Sequence, residues 1–163
     1  MAQAQTSAKA PTSYTQEQQL LKTGQAAQAL EQLDKRLHSQ GRDPQLRFLR
    51  TVALTELGRQ DEALSALVDL TETYPELPEP YNNLAVLYAA RGELGKARDA
   101  LESAVRAQPD YPVAQENLGD IYLRLAAQAY TRASQPDPVV AKSVQPKLTL
   151  LRQLLAPPQS ASR

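Results

Sequence analysis

The chain has 163 residues, of which 42% are hydrophobic and 5% aromatic, with eighteen basic residues balancing eighteen acidic ones and no cysteine. That length and apolar content suffice for one ordinary domain with a buried core, and the charge balance supplies no field that would gather nucleic acid or an anionic membrane. Without cysteine there is no disulfide, thiolate metal site or cysteine nucleophile, and either redox compartment is compatible.

Leucine and alanine dominate the apolar residues, which favours helices over a β-sandwich. The apolar runs are far shorter than the roughly 20 residues that cross a bilayer, so a soluble chain without membrane insertion is expected. Residues 1–13 are polar, small and unpatterned, and a disordered segment is expected there. The stretch AQAQTSAKAPTS resembles the spacer that follows a removed bacterial export signal, with Met1 added. A periplasmic location is therefore expected ahead of a cytoplasmic one.

From Tyr14 onward the chain repeats itself at an offset of 34 residues. The first unit, 14–43, carries Gly24, Ala29, Leu30 and Leu33, but TSYTQEQQLLK offers only Tyr14, Leu20 and Leu21 as core candidates. Its first helix is predicted to be short. The second and third units, 44–77 and 78–111, place Pro78 over Pro44, Gly92 over Gly58, Ala97 over Ala63 and Leu101 over Leu67. Tyr81, Leu84, Ala85 and Tyr88 fall on one face at about 100° per residue, and Leu94, Ala97, Leu101 and Ala104 form a second stripe, so each unit reads as two amphipathic helices. Gly58 and Gly92 mark the turn between them, where positive φ is needed, and Pro75 and Pro109 stop the second helix.

The fourth unit, 112–136, is truncated. Tyr122 to Pro136 spans 14 residues where Tyr88 to Pro109 spans 21, so a single helix over Val113 to Ser134 and a short hairpin both remain open. SQPDP breaks the chain; Leu148, Leu151 and Leu155 then predict a capping helix over 138–155, with Pro146 near its start. The tail 156–163 is expected to be disordered.

A 34-residue period with these residue types resembles the tetratricopeptide repeat (TPR) family, bacterial in type, over three to four units from Tyr14 to Pro136. The resemblance implies an all-α fold, a right-handed superhelix of stacked helical hairpins with a C-terminal capping helix. Single hairpins cannot cover their own apolar faces, so the units must stack.

Little in the chain supports catalysis. His38 is the sole histidine, so neither a triad nor a histidine-rich metal site can be assembled, and no catalytic residue, metal or cofactor is predicted. Asp61 and Glu62 read as acidic residues opening a helix. Gly92 and Gly95 in RGELGK lack the spacing of a phosphate loop. Tyr81, Tyr88, Tyr111 and Tyr122 read as inter-helix packing rather than a base-stacking platform.

Function is instead expected on the first helices of the units, which by resemblance line the concave side. The stripes left over from packing are Gln45, Leu49, Val52 and Glu56; Glu79, Asn83, Val86 and Ala90, with Asn82 adjacent; and Val113, Asn117, Asp120 and Arg124. An asparagine amide both donates and accepts, which suits holding a peptide backbone; the same residues could equally tie adjacent hairpins together or sit solvated. Glu56, Glu79 and Asp120 stand against Arg124 alone, which disfavours a clamp for a terminal carboxylate and favours a neutral or basic extended segment. The expected function is a non-enzymatic, monomeric adaptor for a protein or peptide partner, needing no cofactor. The alternative is an assembly subunit of a secretion or envelope complex acting through self-association or docking surfaces.

Overall fold

The computed structural model describes residues 13 to 156, so the segments expected to be disordered lie outside the described residues except for Ser13 and Ala156. Among the described residues the regular structure consists of eight helices: α1 (Thr15–Lys22), α2 (Ala26–Ser39), α3 (Pro44–Glu56), α4 (Gln60–Thr73), α5 (Pro78–Ala90), α6 (Leu94–Ala107), α7 (Pro112–Ser134) and α8 (Pro138–Leu155). They form two compact units, Met1–Ala66 and Leu67–Arg163, whose boundary falls within α4.

Helix starts and stops follow local chemistry. Proline opens α3, α5, α7 and α8, where its missing N–H costs no hydrogen bond and its fixed φ suits the first turn. Asp43 caps α3 by accepting from the backbone N–H groups of Gln45 and Leu46 at 3.0 and 3.1 Å, and Asp137 caps α8 through Val139 N at 2.7 Å. At the other end of α5, Gly92 adopts φ +76°. Its N–H bonds to Ala89 O and that of Glu93 to Tyr88 O, at 3.1 and 2.9 Å, which satisfies the last carbonyls of the helix. A Cβ on Gly92 would meet nothing within 4 Å; what excludes other residues there is backbone strain of roughly 1–2 kcal/mol.

The same bond pattern recurs at Gly58 and Gly24. One 34-residue step beyond Gly92 the chain carries Ala126 instead, and α7 runs unbroken to Ser134. The shortened fourth unit is thus one long helix.

In the first unit, α1 and α3 both pack on α2, burying Leu21, Ala29, Leu30, Leu33, Leu46 and Leu54. Arg50 pairs with Asp34 at 2.7 Å between α3 and α2. At the beginning of this unit Arg36 donates to Glu17 Oε1 at 2.7 Å and to Ser13 O at 3.0 Å, and lies 5.6 Å over the Tyr14 ring. The Tyr14 hydroxyl in turn donates to Asp43 Oδ2 at 2.9 Å, tying α1 to the cap of α3.

In the second unit α5 pairs with α6, α6 with α7, and α7 with α8. The stripe Leu94, Ala97, Leu101 and Ala104 is buried as its spacing predicts. The α5 stripe needs correction: Leu84 and Ala85 are buried together with Leu87, whereas Tyr81 and Tyr88 are only half-buried. At the edge the Tyr81 hydroxyl donates to Thr71 O at 3.3 Å, and Lys96 Nζ lies over the Tyr88 ring, 5.3 Å from its centroid. A buried tyrosine would have to leave its hydroxyl unsatisfied or find a partner inside.

Helix α8 buries Val144, Leu148 and Leu151. Pro146 lies inside this helix rather than near its start. The missing N–H there removes one ladder bond, at a cost on the order of 3 kcal/mol, and apolar burial along α7 offsets it.

Candidate functional site

In the second unit a cleft of about 800 Å³ opens where α5, α7 and the end of α8 converge. The face of α5 turned from Leu84 and Leu87 supplies Ala85, Val86, Ala89 and Ala90. Helix α7 supplies Asn117, Asp120, Ile121 and Arg124, and α8 supplies Leu154, Leu155 and Ala156, with Leu101 of α6 beneath. Small side chains on α5 create the depression. Val86 is 50% exposed and Leu154 67%, so two aliphatic side chains stand in solvent at the walls. Single exposed apolar residues are ordinary, but two that line one concavity form a surface suited to a ligand.

The polar members are ordered. Arg124 donates to Ala89 O at 3.3 Å, placing a cation at the end of α5, where the helix dipole concentrates negative charge. Asn117 Nδ2 donates to Asn82 Oδ1 at 2.8 Å, and Asn82 Nδ2 to Asn83 Oδ1 at 3.4 Å. Asp120 is exposed at the mouth.

Of the stripe residues read from sequence, the cleft unites Val86, Ala90, Asn117, Asp120 and Arg124. Glu79 and Val113 are exposed near the starts of α5 and α7, outside the lining. Burial and then the Glu79 carboxylate push the Tyr111 phenol above its ordinary pKa, which locates the Glu79 charge beside the start of α7. Asn82 is corrected: at 6% exposure it is a buried tie between α5 and α7, because an amide enclosed between two helices must spend its hydrogen bonds there. Asn83 and Asn117 are half-buried members of the same relay.

The α3 residues belong to the first compact unit, Met1–Ala66. Leu49 is corrected too, being 5% exposed and therefore taken up by packing. Gln45 and Val52 are half-buried and Glu56 is exposed. Glu56 borders a second, smaller hollow of about 460 Å³ beside Leu57 and the segment 24–28.

No other candidate gathers reactive groups. His38 is exposed, with Nδ1 donating to Asp34 O at 2.7 Å. Glu62 pairs with Arg59 at 2.7 Å, and that hydrogen bond holds its carboxyl below the ordinary range, the reverse of a general acid. Gly95 is helical, within α6. The Tyr122 hydroxyl donates to Glu102 Oε1 at 2.9 Å. Among the described residues no three His, Cys, Asp or Glu side chains cluster to hold a metal, and no helix is long and apolar enough to cross a membrane.

Sequence reasoning missed the α8 wall. The leucines of α8 were visible as a stripe, but nothing in their spacing says that the last turn lines the same cleft as Val86. Ala85 reads as part of the packing stripe of α5, and the spacing does not single out Ala89.

Comparison with known proteins gives a consistent answer. Residues 19–135 match the family model described as "Psidin, N-terminal TPR repeats region". The TPR repeat-containing protein YvcD of Bacillus subtilis (strain 168) is 37% identical over 73 residues, covering 45% of this chain and 13% of that protein. Among solved structures, YrrB, described as a TPR protein with an unusual peptide-binding site, matches with a TM-score of 0.58 at 31% identity, over 63% of this chain and 53% of that one. A tetratricopeptide repeat protein from Parabacteroides merdae ATCC 43184 matches with a TM-score of 0.61 at 18% identity, over 86% of this chain and 59% of that one; that likeness concerns the fold alone. The chain thus spans only a fraction of the length of each relative.

Proposed function

Because the chain belongs to the tetratricopeptide-repeat family, a family of protein-interaction scaffolds, we propose that it is a non-enzymatic adaptor that seats a peptide segment of a partner protein in the cleft of its second unit. The observation that carries this reading is the concavity itself: two solvent-standing aliphatic walls, Val86 and Leu154, with Asn117 and Asp120 at the mouth. Apolar walls take a side chain and amide groups at the edge meet a backbone, the division of labour of extended-peptide recognition. The peptide-binding site named for YrrB, 31% identical, supports the same reading. The alternative of a secretion or envelope assembly subunit gains no support from these relatives and is not carried forward.

The test is to pan a randomised heptapeptide phage library against the intact chain and measure the enriched peptides by fluorescence anisotropy. Val86→Glu places a charge on an exposed wall, so folding should change by no more than about 0.5 kcal/mol, while peptide affinity should drop at least tenfold. Enriched peptides that bind Val86→Glu as well as the parent chain would defeat the proposal, as would a library yielding no specific binder.

A further inference from the structure

The cleft has a wall that helical-hairpin pairing alone does not supply. The last turn of α8 brings Leu154, Leu155 and Ala156 to the mouth, held by Leu151 and Leu148 buried farther back along the helix. Two consequences follow for what can enter.

The first is shape. The lining joins Ala85, Val86 and Ala89 of α5 to Leu154 near the end of α8, so small side chains make the depression and two exposed aliphatic side chains border it. At about 800 Å³ the space exceeds any one side chain, so a bulky apolar residue takes its apolar part while its chain neighbours occupy the rest. A flat strand running across it would leave the floor empty and forfeit the dispersion contacts there.

The second is charge. Arg124 is half-buried and spends its donor on Ala89 O at the carboxyl end of α5, where the terminal carbonyls carry roughly half a negative charge. Its field and that of the helix end largely answer one another. Asp120 is exposed on the same helix face one turn earlier and lines the cleft. Arg152 is exposed in that last turn but does not line the cleft. That leaves the Asp120 carboxylate as the lining charge without a partner among the described residues, beside apolar side chains.

Resting on the adaptor reading above, we infer that the cleft selects a peptide segment in which one large aliphatic or aromatic residue is adjacent to a lysine or arginine, the apolar side chain packing against Val86 and Leu154 and the cation meeting Asp120. The selectivity resides in this chain's own α7 and α8 residues, and it excludes acidic flanks by leaving them beside an unpaired carboxylate.

The same library tests it. Peptides enriched on the intact chain should share an apolar residue next to Lys or Arg, and changing that cation to Glu should weaken anisotropy binding by on the order of tenfold. Asp120→Lys should lose the same factor toward the basic peptide and gain toward its Glu counterpart, with binding to both less salt-sensitive than an all-electrostatic contact because the apolar anchor is unchanged. Leu154→Ala, on an exposed position, should weaken every enriched peptide without altering the charge preference. Enriched peptides that are acidic or uncharged but still lost on Val86→Glu would overturn this inference while leaving the adaptor reading intact. Peptides indifferent to Val86→Glu, Leu154→Ala and Asp120→Lys alike would overturn both.

Discussion

Replacing Arg36 with alanine is expected to destabilise the first unit by about 3–5 kcal/mol. Glu17 is 2% exposed, its Oε1 accepts from Arg36 at 2.7 Å, and its Oε2 is buried with no hydrogen-bond partner among the described residues. Within this cluster the guanidinium is the charge that compensates the carboxylate. Removing it strands a desolvated anion, and it also removes the bond to Ser13 O and the contact with the Tyr14 ring. Because repeat arrays lose stability locally as well as globally, the measurement is urea unfolding combined with amide exchange over α1 and α2. Protection there should collapse while α5 and α6 keep theirs. The double variant Arg36→Met, Glu17→Met should recover most of the loss, since it removes both charges and keeps the volume. A single Arg36→Ala cost below about 1 kcal/mol would show that the pair is not the buried tie described.

Leu101→Ala is expected to cost about 2–5 kcal/mol. The side chain is 1% exposed and lies under the cleft between α6 and the helices on either side of it. Truncation loses its transfer free energy and leaves a void that rigid helix backbones close only in part. Leu101→Met, nearly equal in volume, should cost less than about 1.5 kcal/mol. Chemical unfolding of the two variants separates a packing role from a mere preference for leucine in a helix. Comparable losses for alanine and methionine would contradict the packing account. Leu33 and Leu67 occupy the matching column and are fully buried, so the repeat places the most sensitive core position once per unit.

The sequence disclosed what depends on spacing along one helix. Gly24, Gly58 and Gly92 announced turns because only glycine takes positive φ cheaply, and all three do so. The Leu33, Leu67 and Leu101 column announced the core because the 3.6-residue period fixes which residues share a face. Spacing is silent about which helix a face meets. Leu87 and Tyr88 are adjacent and both largely apolar, and spacing alone does not say that Leu87 is the one buried while Tyr88 stays half-buried with its ring beneath Lys96. Asn82 looked like surface because it is polar, yet Asn117 from the next unit satisfies it inside. That pairing joins residues 35 apart, and neither one alone predicts it. Pro146 looked like a helix start by propensity, but packing on α7 carries α8 through it. The cleft was half visible: Val86, Ala90, Asn117, Asp120 and Arg124 came from the stripe, whereas Leu154 and Leu155 depend on how α8 folds back along α7, which is tertiary information.

The account stands or falls on where a bound segment sits. Titrating the highest-affinity selected peptide into isotopically labelled protein and following backbone amide shifts by two-dimensional NMR tests this directly. The shifts are expected to concentrate on residues 85–90, 117–124 and 154–156, with α1 and α2 undisturbed. Shifts confined to the exposed outer faces of α6 or α8, with Val86, Asn117 and Leu154 unmoved at saturation, would contradict it.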